Sequence, residues 1–239
     1  MELLGKLSFG STGWGDELLI GAVMTVGLAL ASVLIGIVIG GKLAFFKLQP
    51  NRFFRTIAHA ITLLFRGTPE FLVILVVFFG LDILFNALLS ALSIELTLST
   101  PKFWAGAIGL GLIFGVYASE VFKGAYLAVP KGVIEASRAL GLSQFQTIRQ
   151  VHLPLMWRHA LPGLMNLWLV LLKDTSLVAV IAFDELLRTA KVAGETEREP
   201  FLFLFLFFFA AGTLYLLMTY VSDHAKSRIE NRVALVGRQ

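Results

Sequence analysis

The chain of 239 residues contains no cysteine and few charged residues. The absence of cysteine excludes disulfide bonds and thiolate metal sites. Only 15% of the residues are charged, whereas 57% are hydrophobic, and the mean hydropathy is +0.81. Soluble domains carry roughly 45–50% apolar and about 25% charged residues. The composition therefore excludes an ordinary soluble domain and predicts an integral membrane protein.

The sequence also lacks the short motifs that mark several kinds of enzyme. It has no glycine-rich phosphate loop of the GxxxxGK[ST] kind, so we do not expect this chain to hydrolyse ATP itself. It has neither an HExxH zinc motif nor a GxSxG nucleophile elbow. Its four histidines do not pair across two apolar runs, as a bis-histidine haem would require. We therefore expect no catalytic residue, no metal and no cofactor in this chain.

Five apolar runs are long enough to cross a bilayer, which takes about 20 helical residues. Residues 1–17 lack the basic start of a cleaved signal peptide, so we expect the first run to be a retained span. The sequence thus predicts an all-α membrane protein with five transmembrane helices, forming one transmembrane domain over residues 1–239. The spans cover about residues 18–41, 71–94, 103–119, 162–183 and 201–222.

Two features near the C-terminal end complete this organisation. Residues Asp184 to Pro200 are interpreted as an acidic loop between the last two spans. The run of Phe and Leu at 201–210 suits a helix surface that faces lipid, because it is apolar on every side.

Most lysines and arginines fall in three segments, 42–66, 123–173 and the tail after residue 222. Alternation through five spans places these segments on one side of the membrane. Because basic loops remain in the cytoplasm, the N-terminus is predicted to lie outside and the C-terminus inside. A polar, basic segment at 130–163 then lies on the cytoplasmic side.

The 130–163 segment has the pattern of two short amphipathic helices. The first begins near Pro130, and Gly141 suits the left-handed residue that ends a helix. Ser143 can cap a second helix of about residues 144–151. The segment therefore predicts a rigid helix–turn–helix knob.

Two prolines follow this knob, and we expect Pro154 to force a turn and Pro162 to begin the next span. Physical reasoning alone leaves two interpretations of the 130–163 segment open. It is either a convex knob contacted by a cytoplasmic partner or an amphipathic segment that lies on anionic lipid.

The 130–163 segment resembles the EAA loop of permease subunits of bacterial ABC importers. That pattern is E-A-A, three residues, G, nine residues and I-x-L-P. The glutamate, the first alanine, the glycine and the final Leu-Pro match, while Ser137 and Val151 are conservative replacements. The resemblance implies a coupling-helix loop that contacts an ATP-binding cassette subunit. The implied contact residues are Glu135, Ala136, Gly141, Leu142, Ser143, Leu153 and Pro154.

Further motifs are similar to the polar amino acid branch of these importers, which takes up histidine, arginine, lysine, glutamine, glutamate, cystine and opines. Glu70 is more typical of the histidine and opine systems. The motifs are Arg66-Gly67-Thr68-Pro69, Ala118-Ser119-Glu120, Lys123-Gly124, Pro130-Lys131-Gly132 and Lys173-Asp174-Thr175-Ser176-Leu177.

The resemblance also implies partners and a location. A second permease, identical or related, would pair with this chain above two ATPase subunits, which bind ATP and Mg. A periplasmic binding protein would deliver the substrate. The chain would lie in the bacterial inner membrane, surrounded by lipid, and no nucleic-acid partner is expected.

Charged residues inside apolar runs are candidate substrate ligands, because each costs about 2.5–3.5 kcal/mol to insert. We expect Glu70, Asp174, Thr175 and Ser176 to bind substrate at a permease interface. Two structural alternatives stay open: Asp174 could form an ion pair, and Glu70 could stabilise a helix N-terminus.

Two other acids are expected to have structural roles. Glu120 is expected to pair with Arg66 or Lys123. Asp82 is expected near the outer surface, facing water or the binding protein.

The sequence therefore predicts the transmembrane permease subunit of an ATP-driven importer for polar or basic amino acids, such as histidine, arginine and lysine, or for opines. One alternative is a self-standing membrane channel or enzyme. Another is an importer subunit for a different small polar solute, which the motifs at 66–69 and 173–177 argue against. The sequence leaves the exact substrate open, and does not decide between a homodimer and a heterodimer of permeases.

Overall fold

The computed structural model describes residues 5–10, 13–92, 99–197 and 199–236, with side chains to residue 230. The regular secondary structure within these ranges is helical. The main helices, in chain order, are α1 (Gly15–Leu48), α2 (Arg52–Gly67), α3 (Glu70–Ala91), α4 (Lys102–Ala128), α5 (Lys131–Ala139), α6 (Leu153–Asp174), α7 (Leu186–Thr196) and α8 (Pro200–Val236).

Five helical segments within the described ranges are long and apolar enough to cross a membrane, which confirms the all-α, five-helix fold. The predicted end of the second span and part of the turn after it fall in 93–98, outside the described residues. The five segments are Gly15–Leu48, Glu70–Ala91, Lys102–Ala128, Gln144–Ile181 and Pro200–Glu230.

The core is built around the close packing of α1 against α4. Gly36 and Gly40 on α1 face Gly111 and Gly115 on α4, so that two GxxxG patterns meet. A Cβ atom on Gly40 would lie 2.8 Å from the carbonyl oxygen of Gly115. Glycines permit this approach of two backbones within a membrane. Helices α3 and α6 pack on other sides of α4, which makes α4 the central span.

The prediction of a turn at Pro154 and of a helix start at Pro162 was wrong. The helical path continues from Gln144 through a π-helical turn, Thr147–His152, into α6. Pro154 lies in the first turn of α6, directly after the π-helical turn, and Pro162 lies inside the helix. Transmembrane helices tolerate such prolines because neighbouring groups satisfy the freed backbone carbonyl.

The interpretation of Asp184 to Pro200 as a loop was also wrong, because α7 occupies most of it. Glu185 caps this helix by accepting hydrogen bonds from the backbone N–H groups of Leu187 and Arg188, at 2.8 and 2.7 Å. One face of α7 is buried and apolar, which explains why it folds. The buried residues of this face are Leu186, Ala190, Ala193 and Gly194.

The Phe-rich run at 201–210 is not uniform. Phe201, Phe205 and Phe209 are exposed, as expected for a surface that faces lipid. Phe207 is fully buried, and its ring packs edge-on to that of Trp14 at a centroid distance of 6.4 Å. One side of α8 therefore packs against the start of α1 and α7.

Candidate substrate site and coupling loop

The 130–163 segment folds as a helix, a glycine turn and a second helical stretch. Gly141 has a φ of +86°, the left-handed conformation that glycine adopts without strain. Ser143 and Gln146 form a capping box: the Ser143 N–H donates to Gln146 Oε1 at 2.9 Å, and the Gln146 N–H donates to Ser143 Oγ at 3.3 Å. Both features were predicted from the sequence, apart from the glutamine.

The tip of this segment projects apolar side chains. Leu140 is 82% exposed and Phe145 is 70% exposed. Of the residues implied to contact an ATPase, only Leu142 is half-buried, and the others are exposed. The geometry is that of a convex knob whose apolar tip is available to a partner; the roles of its individual residues stay predictions.

A second polar cluster lies where α2, α3, α4 and α6 meet. Glu70 is the first residue of α3, and Asp174 is the last residue of α6. The two acids interact electrostatically with each other and with Tyr117 of α4. The Arg66 guanidinium lies over the Tyr117 ring, 5.9 Å from its centroid. Two of the four predicted substrate residues are thus close together.

The side chains of the other two predicted residues, Thr175 and Ser176, donate hydrogen bonds to backbone carbonyls at the end of α6. Thr175 Oγ1 donates to the Leu172 carbonyl at 2.8 Å, and Ser176 Oγ donates to the Lys173 carbonyl at 2.7 Å. Thr175 is fully buried and begins the 3₁₀-helix Thr175–Ile181. The structure therefore does not bring Thr175 into the acid cluster.

The acid cluster has the charges that a zwitterionic or cationic ligand requires. Glu70 and Asp174 are each only partly buried, so their carboxylates remain accessible. Two carboxylates that interact electrostatically repel each other, and a cation between them relieves the repulsion. An ammonium or guanidinium group would relieve that repulsion, and Arg66 could pair with a carboxylate.

Comparison with known proteins assigns the family. Residues 32–235 match the model of the family described as binding-protein-dependent transport system inner membrane component. The chain belongs to this family. The assignment places the chain in the inner membrane, as predicted.

Several curated relatives from this family span nearly the whole chain. The histidine/lysine/arginine/ornithine transport system permease of Salmonella typhimurium is 39% identical over 223 residues, covering 93% of this chain and 96% of the relative. The octopine transport system permease of Rhizobium meliloti is 37% identical over 232 residues, covering 97% and 96%. The arginine ABC transporter permease of Haemophilus influenzae is 39% identical over 211 residues, covering 88% and 90%.

Solved structures of other transporters have a similar fold. A chain of an amino acid ABC transporter crystallised with histidines is 26% identical, with a TM-score of 0.72, covering 92% of this chain and 95% of that one. A chain of the MetNI methionine ABC transporter in an inward-facing conformation is 19% identical, with a TM-score of 0.71, covering 94% and 99%. The second likeness concerns the fold alone.

In this inner membrane component, the prediction that Glu120 pairs with Arg66 or Lys123 was wrong. Its carboxylate instead accepts a hydrogen bond from Lys47 Nζ at 2.8 Å, and Lys47 also donates to Ser119 Oγ at 2.6 Å. The Lys47 side chain is fully buried, so it needs these partners. Lys47 and Glu120 are far apart in sequence, and no local pattern joins them.

Asp82 has a partner at the start of α4. Its Oδ1 accepts a hydrogen bond from the Thr100 N–H at 2.6 Å. This contact joins the second span to the beginning of the third. Asp82 is half-buried, and its position relative to the membrane surface stays a prediction.

Sequence reasoning missed Tyr117 and Glu185. Tyr117 carries no charge, so the rule that singles out charged residues in apolar runs did not identify it. Glu185 stood in a stretch interpreted as a loop. It is fully buried, accepts a hydrogen bond from the Tyr215 hydroxyl at 2.8 Å, and lies beside Thr25, which accepts the Leu186 N–H at 3.2 Å. Burial raises the pKa of the Glu185 carboxyl, and the hydrogen bonds that it accepts oppose the rise.

Proposed function

We propose that this chain is the transmembrane permease subunit of an ATP-driven importer for basic amino acids or opines. The observation that carries the proposal is the accessible pair of acids, Glu70 and Asp174, within a chain whose relatives include permeases for histidine, lysine, arginine, ornithine, octopine and nopaline. Two carboxylates beside Arg66 and Tyr117 suit a ligand that carries an ammonium group, a second cationic group and a carboxylate.

The acid cluster also supports the proposed second permease. Glu70 and Asp174 are half-exposed in the single chain although their helices are long and apolar enough to span a membrane. Carboxylates that face lipid are costly, so a protein surface or a water-filled cavity is expected to cover them. A second permease, identical or related, would supply that surface.

The energy would come from partner ATPases at the 130–163 segment. The chain carries no phosphate loop, and its exposed apolar tip at Leu140 and Phe145 offers a contact. We propose that this tip lies in the cytoplasm with the C-terminus, and that ATP and Mg bind to the partner. A binding protein on the other side would deliver the substrate.

The test is uptake by the whole complex. The permeases and ATP-binding subunits would be reconstituted in liposomes that contain ATP, with the binding protein outside. Radiolabelled arginine, histidine, lysine and glutamine would be compared. We expect ATP-dependent accumulation of the basic amino acids, and Glu70→Gln should raise the KM for arginine about tenfold, since a charged hydrogen bond contributes about 1.5–3 kcal/mol.

Glu195→Gln is the matched control, because Glu195 is an exposed acid of α7 that pairs only loosely with Lys191, at 3.7 Å. It should leave the KM unchanged. Arginine uptake that is unaffected by both Glu70→Gln and Asp174→Asn would remove the acid cluster from the substrate path. Uptake that persists without ATP would contradict the proposed mechanism.

A further inference from the structure

The tip of the 130–163 segment, around Leu140 and Phe145, is called the coupling knob below. A π-helical turn, Thr147–His152, interrupts the helical stretch between this knob and α6. Such turns are rare and occur often at functional sites. Within this turn, only Thr147 and His152 are buried. In a regular α-helix, two residues five positions apart lie about 140° apart around the axis and so face different sides. In the wider π-helical turn, hydrogen bonds join residues five apart, and Thr147 and His152 are both buried on the same side of the helical segment.

Thr147 holds the coupling helix α5. Its hydroxyl lies 3.2 Å from the Ser137 hydroxyl, and the two form a buried hydrogen bond. Ser137 is the buried residue of α5; the rest of that helix is exposed or half-exposed. The Ser137 carbonyl also accepts the Leu142 N–H at 3.2 Å, which joins the glycine turn to the same point. The hydrogen bond between Ser137 and Thr147 thus joins α5 to the π-helical turn.

His152 holds the end of the central span α4. Its ring stacks on the Tyr126 ring at a centroid distance of 4.0 Å and an interplanar angle of 23°. Its Nε2 lies 3.2 Å from the Tyr126 carbonyl oxygen. This carbonyl belongs to the last turn of α4, where helices leave carbonyls without an internal partner. His152 therefore carries a proton on Nε2 and donates it to that carbonyl.

The space around these two contacts is otherwise open. A cleft of about 310 Å³ separates α5 from the end of α4. Residues of α5, of the end of α4 and of the π-helical turn line it, among them Tyr126, Glu135, Arg138, Thr147 and His152. Besides the two-residue chain link at Val129 and Pro130, the Thr147 and His152 contacts connect α5, through the π-helical turn, to the end of α4.

We infer that the π-helical turn is the joint through which α5 moves α4, with Thr147 and His152 as positioning residues. The inference rests on the proposed function, in which a partner ATPase displaces α5. Because His152 ties this joint to the end of α4, a displacement of α5 would reach the helix that carries Tyr117 in the acid cluster. Without the His152 contact, the π-helical turn would lose its tie to the end of α4, and α5 could pivot about the two-residue link at Val129 and Pro130.

A distance measurement tests the joint without requiring transport. The chain contains no cysteine, so Ala128→Cys on α4 and Leu140→Cys at the tip can carry two spin labels in the full chain. We expect a narrow distance distribution in the parent. His152→Ala and Thr147→Val should broaden it, whereas His159→Ala, at an exposed histidine of α6, should not. An unchanged distribution in both joint variants would overturn the inference.

Coupling efficiency in the reconstituted complex separates a joint from a merely structural contact. His152→Ala should still co-purify with the ATP-binding subunit and hydrolyse ATP. The arginine imported per ATP hydrolysed should fall about fivefold, the equivalent of losing one hydrogen bond. His152→Gln, which keeps a side-chain N–H donor, should recover part of the loss.

The outcomes of the two experiments are distinct. If His152→Ala reduced assembly but left the import per ATP of the assembled complex unchanged, the contact would be structural and the inference would fail. If the parent complex imported none of the four amino acids, the proposed function would fail, while the spin-label distances would still decide whether α5 and α4 are joined.

Discussion

The central span α4 and the last span α8 are both apolar helices, yet they are built differently. In α4, 72% of the most apolar stretch is buried within the chain, whereas in α8 the fraction is 11%. Glycines and alanines dominate the inner faces of α4, and Leu and Phe cover α8. The most apolar stretch of α4 has the lower mean hydropathy of the two, and its side chains are smaller.

The difference between α4 and α8 follows from the lipid that surrounds membrane helices. Lipid surrounds an apolar side chain about as well as protein does, so close packing and polar contacts hold membrane helices together. Helix α1 is joined to α4 by glycine contacts and by the buried Lys47, which binds Glu120. Helix α8 is held by a small buried patch around Phe207 and by the hydrogen bond from Tyr215 to Glu185.

Gly40→Leu should have the largest effect, because it breaks the packing of α1 on α4. Its Cβ would lie 2.8 Å from the Gly115 carbonyl and 3.0 Å from the Ala118 Cβ, and neither atom can move aside cheaply. We expect the free energy of unfolding in a detergent titration to fall by about 3 kcal/mol. Gly41→Leu is the control, since nothing lies within 4 Å of its Cβ. Equal losses in the two variants would contradict glycine-mediated packing.

Phe207→Ala should have an intermediate effect on the α8 side of the comparison. It empties a fully buried position against Trp14. The expected loss in the same titration is about 2 kcal/mol, less than the roughly 3–5 kcal/mol of soluble cores, because lipid solvates a phenyl ring well. Phe209→Ala, at a ring that is 72% exposed, should be nearly neutral. A neutral Phe207→Ala would mean that α8 does not pack as described.

Tyr215→Phe should have the smallest effect of the three. It removes the hydroxyl that donates to Glu185 but leaves the two backbone donors of α7 in place. We expect unfolding to become easier by about 1 kcal/mol, the usual contribution of one hydrogen bond. Tyr220→Phe, at an exposed tyrosine of the same helix, is the control. A larger loss at Tyr220 than at Tyr215 would refute the anchoring role of Glu185.

The sequence was sufficient for the number and type of spans, because length and hydropathy determine them. The sequence was not sufficient to place the ends of these spans. The first span was predicted to end at residue 41, before the charge of Lys42, but α1 continues to Leu48 because helices extend beyond the bilayer core. Pro154 and Pro162 were interpreted with rules for soluble helices, and α7 was missed although its apolar residues recur at helical spacing.

At the candidate site, rules that apply to one residue and its sequence neighbours identified individual residues. They did not identify which residues from different helices contact each other. Asp174 was noticed because a charge in an apolar run is costly, and Gly141 because a helix end there requires a left-handed residue. The approach of Glu70 to Asp174, or of Lys47 to Glu120, depends on how the spans pack, and no spacing rule encodes it. The contacts of His152 depend on the π-helical turn, which has no reliable sequence signal.

The most direct test concerns the side of the membrane on which the coupling knob lies. Gln144→Cys, at the exposed tip, and Glu195→Cys, on α7, would each give the chain one reactive thiol. A membrane-impermeant maleimide should label Glu195→Cys in intact cells with a permeable outer membrane, and Gln144→Cys only after the inner membrane is opened. Labelling of Gln144→Cys in intact cells would put the knob outside, where no ATPase could reach it, and would contradict the proposed coupling.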